Sequence, residues 1–129
     1  MPHPFVVTAM LAVSPFTVSL VDVDKRVGGE SPSWEEWTFN LSNTTATDRN
    51  FSVCPRDIDR IAHDPANTTM HAFAIGFDDD ARTYGCTETV VPAGESIRLR
   101  VYTRPYGRRG SGRTLVIRDS DGAIVPPVQ

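Results

Sequence analysis

The 129-residue chain has a single lysine, Lys25, only two cysteines and three histidines, and no long hydrophobic run. Its formal net charge of −3 argues against a dedicated nucleic-acid-binding protein, because such proteins carry an excess of basic charge. The longest mainly apolar run, Phe5–Val13, is nine residues long and therefore too short to span a bilayer as a helix. We expect neither a nucleic-acid partner nor a membrane span.

Sequence motifs of common enzymes are also missing. The chain has no Gly-x-Ser-x-Gly nucleophile elbow, no His-Glu-x-x-His motif and no Gly-rich phosphate loop, which leaves His3, His63 and His71 as the candidate bases. The gaps between these histidines and Cys54 or Cys86 do not match the short paired spacings of structural zinc sites. We expect a protein that is not an enzyme and that carries no cofactor and no metal.

What the chain does contain is a repeated alternation of apolar and polar residues, which is typical of half-buried antiparallel strands. Trp37, Phe39 and Leu41 share one face of such a segment and are expected to anchor the core. Turn residues separate the predicted strands, which are Phe16–Leu20, Trp34–Leu41, Phe51–Val53, Phe73–Phe77, Thr87–Val91, Ser96–Tyr102, Thr114–Arg118 and Ala123–Val125. The pattern predicts an all-β fold, an antiparallel β-sandwich of seven or eight strands, with one short helical crossover at Pro55–His63.

Three segments carry a resemblance to a known family. Trp34–Asn43 is an aromatic-flanked strand that ends in Asn-Thr, Val91–Val101 is a Pro-Ala-Gly-Glu-Ser turn into an alternating strand, and Thr114–Val125 is a closing hairpin with an Asp-Gly turn. Together they resemble the lamin-tail-type immunoglobulin-like domain. The resemblance implies an immunoglobulin-like sandwich with a binding or structural role and no catalytic residue. The chain departs from that family between Pro55 and Gly85, where an insertion replaces a short strand-turn-strand.

The domain organisation predicted from the sequence is one sandwich domain between two short flanking segments. The sandwich covers residues 16–125, an apolar N-terminal arm covers residues 1–15, and a C-terminal tail covers residues 126–129. The arm contains an apolar run like that of a secretion signal, but no Lys or Arg precedes it, and Pro2 and Pro4 interrupt its start. The alternative is an arm that lies on a neighbouring subunit.

Two features point instead towards export. Every asparagine begins an Asn-x-Ser/Thr triplet, the acceptor pattern for N-glycosylation, and the four candidates are Asn40, Asn43, Asn50 and Asn67. Clustering of Asn and Thr in turns and on polar strand faces would produce the same triplets. Cys54 and Cys86 are a candidate disulfide that would bridge the two sheets in an oxidising compartment, and two buried free thiols are the alternative.

Basic charge is concentrated in one segment, Arg104–Arg113. Arginine binds carboxylates and phosphates through paired hydrogen bonds, so the candidate partner-binding residues are Arg104, Tyr106, Arg108, Arg109 and Arg113. A flexible exposed hairpin would have the same composition. The acidic run Asp78–Asp80 offers oxygen ligands to a hard cation, but such runs are common in solvated loops at strand ends.

Taken together, these features predict a non-enzymatic structural protein of a large assembly, such as a capsid, decoration or tail component of a virion. Its partners would be other protein subunits in a homo- or hetero-oligomer. The alternative is a secreted or cell-surface glycoprotein that binds a ligand or an adhesion partner. The sequons and the cysteine pair motivate the alternative.

Overall fold

The computed structural model describes residues 14–27, 32–61, 68–104 and 114–128. These residues form nine strands and one turn of 3-10 helix, Pro55–Asp57. The strands are β1 Phe16–Val27, β2 Pro32–Asn43, β3 Arg49–Val53, β4 Ile58–Ile61, β5 Thr68–His71, β6 Ala74–Phe77, β7 Thr87–Val91, β8 Ser96–Thr103 and β9 Thr114–Ile117. Neighbouring strands in each sheet are antiparallel, which confirms the predicted all-β antiparallel fold.

The largest sheet has the strand order β1-β2-β8-β6. In its register Phe39 of β2 lies between Leu20 of β1 and Leu99 of β8. Because side chains alternate between the two faces of a strand, this register places Trp37, Phe39 and Leu41 on one face, where all three are buried. The aromatic face predicted from the sequence is therefore the core face of this sheet.

Two smaller sheets, β3-β7 and β5-β4-β9, supply the other side of the core. Phe51 of β3 makes edge-to-face contacts with Phe16 of the large sheet at 5.0 Å and with Phe77 at 6.1 Å, measured between ring centroids. Ile58 of β4 and Ile117 of β9 are paired and buried in the same hydrophobic cluster. Apolar faces packed in this way are consistent with a β-sandwich.

The predicted helix at Pro55–His63 is wrong beyond its first turn. Pro55–Asp57 forms the 3-10 turn, but the chain then enters β4, which pairs with both β5 and β9. Burial alternates along β4, with Ile58 and Arg60 fully buried. Buried residues thus recur every two positions, as in a strand, and not every three to four, as in a helix. The predicted strands did not include β4 and β5, and the predicted strand Ala123–Val125 is present only as an isolated bridge between Arg118 and Ile124. The described residues therefore form nine strands, compared with the seven or eight predicted.

The segment assigned to a C-terminal tail pairs with the large sheet. Val18 of β1 forms a parallel bridge with Pro127, its N–H donates to the carbonyl of Pro126 at 3.1 Å, and its carbonyl accepts from Val128 N–H at 2.8 Å. At the other end, Ser14 N–H donates to the carbonyl of Ile124 at 2.9 Å. Residues 14–15 and 126–128 thus extend the paired structure beyond the predicted domain limits, while residues 1–13 of the arm lie outside the described part of the chain.

Across the described ranges, the model contains no helix with the length and apolarity that a membrane crossing requires.

Candidate functional site

An apolar groove of about 540 Å³ opens between β1 and β2 on one side and β9 and the C-terminal segment on the other. The described residues that line it are Val18, Leu20, Trp37, Phe39, Thr114, Leu115, Val116, Ile117, Ile124, Val125, Pro127 and Val128. None of them is charged, and none is a histidine, a cysteine or a serine that could act as base or nucleophile. An apolar lining of this kind accommodates apolar side chains.

The pairing of β1 with β2 is irregular beside the groove. A bulge lies between Leu20 and Asp22, so that Leu20 faces Phe39 and Asp22 faces Thr38 with Val21 as the extra residue. On the rim, Leu20 is 52% exposed and Val128 is 49% exposed. Large apolar side chains that stay half in solvent at the mouth of an apolar groove are typical of a surface that a partner covers.

Beyond Val18, the edge of β1 that does not face β2 adds backbone N–H and C=O groups to this surface. Among the described residues, β1 pairs with β2 along one edge and with the C-terminal segment at Val18 along the other. An edge strand with open N–H and C=O groups accepts an added strand, and apolar side chains beside it supply pockets for the alternate residues of that strand. Groove and edge together can bind an extended apolar segment.

A buried polar network fixes the floor of the groove. Glu35 and Arg60, both almost fully buried, form an ion pair at 3.0 Å between Oε1 and Nη2. Thr103 Oγ1 donates to Glu35 Oε1 at 3.2 Å and accepts from the indole Nε1 of Trp37 at 3.0 Å. Since Trp37 lines the groove, this network sets the position of its ring. Glu35 was not among the predicted site residues, although the alternation along β2 places it on the inward face with Trp37.

The predicted glycosylation sites differ sharply in their surroundings. Asn40 is half-buried on β2, and Asn50 is exposed, where its Nδ2 donates to Glu88 Oε2 at 3.0 Å. Asn43 is only 1% exposed, and its Nδ2 donates to the carbonyls of Thr47 at 2.8 Å and Val91 at 2.9 Å. A glycan on the Asn43 amide is incompatible with this arrangement, since the nitrogen that would carry it is enclosed.

Asn67, the fourth candidate, lies outside the described residues.

The structure joins Cys54 and Cys86 in a disulfide. Its place in the fold differs from the prediction, because the bond does not bridge two sheets. Val53 of β3 pairs with Thr87 of β7, so one further step of the same antiparallel register brings the two cysteines opposite each other, with Cα atoms 4.0 Å apart. The bond therefore closes the end of the β3-β7 ladder. Cys86 is exposed and Cys54 is partly exposed, so neither is the buried thiol of the alternative prediction.

Of the predicted partner-binding residues, Arg104 alone is described. It is exposed, and its guanidinium carbon lies 5.3 Å from the ring centroid of Phe73. The other four lie outside the described residues, namely Tyr106, Arg108, Arg109 and Arg113.

The acidic run Asp78–Asp80 is an exposed turn, in which Asp78 Oδ1 accepts a hydrogen bond from the Arg98 N–H at 3.0 Å. Within the part of the chain that the structure describes, no three His, Cys, Asp or Glu side chains converge as a metal site would require.

Comparison with known proteins gives no significant match: no family model, no curated protein and no solved structure.

Proposed function

We propose that this protein is a non-enzymatic structural subunit of a protein assembly, and that the apolar groove docks the N-terminal arm of a second copy. The observation that carries the proposal is a groove whose described lining is uncharged, with exposed apolar side chains on its rim, beside a β1 edge that is unpaired beyond Val18 within the described residues. A capsid, decoration or tail protein of a virion is a subunit of this kind, and such subunits use extended arms to add to a neighbour's sheet.

The composition and the position of the arm support this occupant. Thirteen residues precede Ser14, and Phe5–Val13 among them carries no charge. The Ser14 N–H donates to the carbonyl of Ile124, a residue that lines the groove. In every copy the arm therefore begins beside a groove. Nine residues in extended conformation reach about 30 Å, which is enough to cross to a neighbouring copy. Reciprocal exchange of arms would close a dimer, and one-way exchange would extend a larger assembly.

We also propose that the fold is a lamin-tail-type immunoglobulin-like sandwich. The three segments that carry the resemblance correspond to β2, to the β7-β8 turn and to β9 with the return after it. The resemblance implies binding and structural roles, in agreement with a subunit that docks onto others.

Substitution at the rim of the groove tests the proposal. Leu20→Asp places a charge in the groove at a half-exposed position, and Val90→Asp places the same charge on the 58% exposed Val90 of β7, outside the groove. We expect the wild-type chain and Val90→Asp to self-associate in light scattering after size exclusion, and Leu20→Asp to be monomeric. Leu11→Asp in the arm should have the same effect as Leu20→Asp. A wild-type chain that stays monomeric at every concentration would refute the proposal.

An exported binding module is the second candidate, and the disulfide favours it. Disulfides persist in oxidising compartments and are rare in the cytosol, and Asn50 is exposed enough to carry a glycan. The intact mass of protein from its native source, with and without reduction, tests this candidate. Added glycan mass and a gain of two hydrogens on reduction would support it, whereas unmodified chains with free thiols would rule it out.

A further inference from the structure

Four aromatic rings surround one arginine on the outer face of the large sheet. The guanidinium carbon of Arg82 lies 5.0 Å from the ring centroid of Trp34, 5.2 Å from Tyr102, 5.7 Å from Tyr84 and 6.0 Å from Phe73. All four distances are within the range of cation–π attraction. We refer to these five residues as the aromatic–arginine cluster.

The sheet holds the rings of this cluster in place. Trp34 of β2 and Tyr102 of β8 lie on the face opposite the core, with their ring centroids 5.4 Å apart. The hydroxyl of Tyr102 donates to Glu36 Oε2 at 2.6 Å, and Phe73 stacks on Tyr84 at 6.2 Å. An arginine inside such a frame has little rotamer freedom left, so a ligand that binds it loses little further side-chain entropy.

The hydrogen-bonding groups of Arg82 are not used within the described structure. No hydrogen bond or ion pair joins Arg82 or Arg104 to another residue of the described ranges, and Arg104 lies on the same Phe73 ring at 5.3 Å. Arg100, in contrast, contacts Glu36 at 3.7 Å and donates to the backbone carbonyl of Asp80. Arg82 of the cluster and the neighbouring Arg104 thus place two guanidinium groups near the Phe73 ring, both with N–H groups available among the described residues.

We propose that the aromatic–arginine cluster, with Arg104, is a binding site for the carboxylates of an acidic protein segment. Cation–π contacts use the faces of a guanidinium and leave its planar N–H edge for a bidentate carboxylate. The four rings already contact Arg82, which disfavours a sugar that would have to stack between them and that arginine. This site is separate from the apolar groove and does not rest on the function proposed above.

A titration with peptides tests the proposal. The probe is a blocked hexapeptide of alternating Asp and Glu, compared with the matching Asn and Gln hexapeptide, in a buffer of low ionic strength because salt screens such contacts. We expect the acidic peptide alone to bind. Arg82→Gln should weaken that binding by about tenfold or more, since it removes charge-assisted hydrogen bonds. The control Arg98→Gln alters an exposed arginine on β8 outside the cluster and should leave binding within about twofold, the limit set by screened surface charge.

Further outcomes separate this proposal from its alternatives. Arg104→Gln, at an exposed position, should also weaken binding and replaces Arg82→Gln if the latter fails to fold. Leu20→Asp should bind the acidic peptide as the wild type does, even if self-association is lost. Equal affinity of Arg98→Gln and of Arg82→Gln, or of Arg104→Gln where it replaces the latter, would overturn the proposal, and so would displacement of the peptide by inorganic phosphate at equal concentration. The same holds if the neutral hexapeptide binds equally well.

Discussion

The indole of Trp37 and the hydroxyl of Thr103 are joined by a 3.0 Å hydrogen bond across β2 and β8. The same hydroxyl donates to Glu35, whose carboxylate is paired with Arg60. A buried charge pair thereby orients an aromatic ring on the floor of the apolar groove. Stability of the core and shape of the groove depend on one network.

Replacement of that hydroxyl should be costly. Thr103→Val keeps the shape of the side chain but leaves the Trp37 N–H and one Glu35 contact without a partner, and buried polar groups that lose a partner cost about 1–3 kcal/mol. Thr103→Ser keeps the hydroxyl and should retain most of the stability. Urea unfolding of both variants measures the difference, and a Thr103→Val variant as stable as Thr103→Ser or the wild type would contradict the role of the hydroxyl.

Replacement of the amide by a carboxylate should destabilise the protein far more at Asn43 than at Asn50. Asn43→Asp replaces a buried amide that donates to two carbonyls by an oxygen that would face both of them, so we expect a loss of about 2–4 kcal/mol. Asn50 is exposed and Asn50→Asp should change stability by less than about 1 kcal/mol, including repulsion from Glu88. Denaturant midpoints of the two variants check this, and similar midpoints would contradict the burial of Asn43.

Alkaline pH should destabilise the protein through Tyr102. Burial, and then the hydrogen bond to Glu36, raise the pKa of Tyr102 above its usual 10.0. The unfolded chain therefore releases the phenolic proton first, and the free energy of unfolding falls as pH rises past 10. Tyr102→Phe should show a shallower fall between about pH 9 and about pH 11 than the wild type. The control Tyr84→Phe, at a 64% exposed tyrosine, should keep the wild-type slope, and equal slopes in all three proteins would contradict the prediction.

Reduction of the disulfide should lower the stability of the fold without changing how its strands pair. The bond between Cys54 and Cys86 closes a loop with a sequence separation of 32 residues, for which loop entropy predicts a stabilisation of about 3–4 kcal/mol. A reducing agent should lower the thermal midpoint of the wild type and leave that of Cys54→Ser/Cys86→Ser unchanged. No shift in the wild type would mean that the thiols are already free in solution.

Strand positions were predictable because alternation of polarity directly reflects the two faces of a strand. The strand Ile58–Ile61 was not predicted, because the fully buried Arg60 occupies an inward position where the alternation requires an apolar residue. The burial of Asn43 could have been predicted by one further step of the pattern Trp37, Phe39, Leu41, which places it on the core face. Its Asn-Thr-Thr triplet instead made it a candidate glycosylation site.

The groove and the aromatic–arginine cluster could not be predicted from local patterns. Val18 and Pro127 meet through a pairing of the two chain ends, and no short-range signal specifies that partner. Likewise Arg82 and Trp34 are brought together by the order β2-β8-β6 of the large sheet, which depends on long-range register. Alternation identifies the buried face of a strand but not the strand beside it.

Photo-cross-linking from the arm is the most direct test of the docking claim. Phe5 is replaced by p-benzoylphenylalanine, isotope-labelled and unlabelled chains are refolded together, and the cross-linked peptides are identified after irradiation. The account predicts heavy–light pairs that join residue 5 of one copy to the C-terminal segment or to β9, Thr114–Ile117, of another. Cross-links confined to single chains, or joined to residues outside the groove, would contradict it.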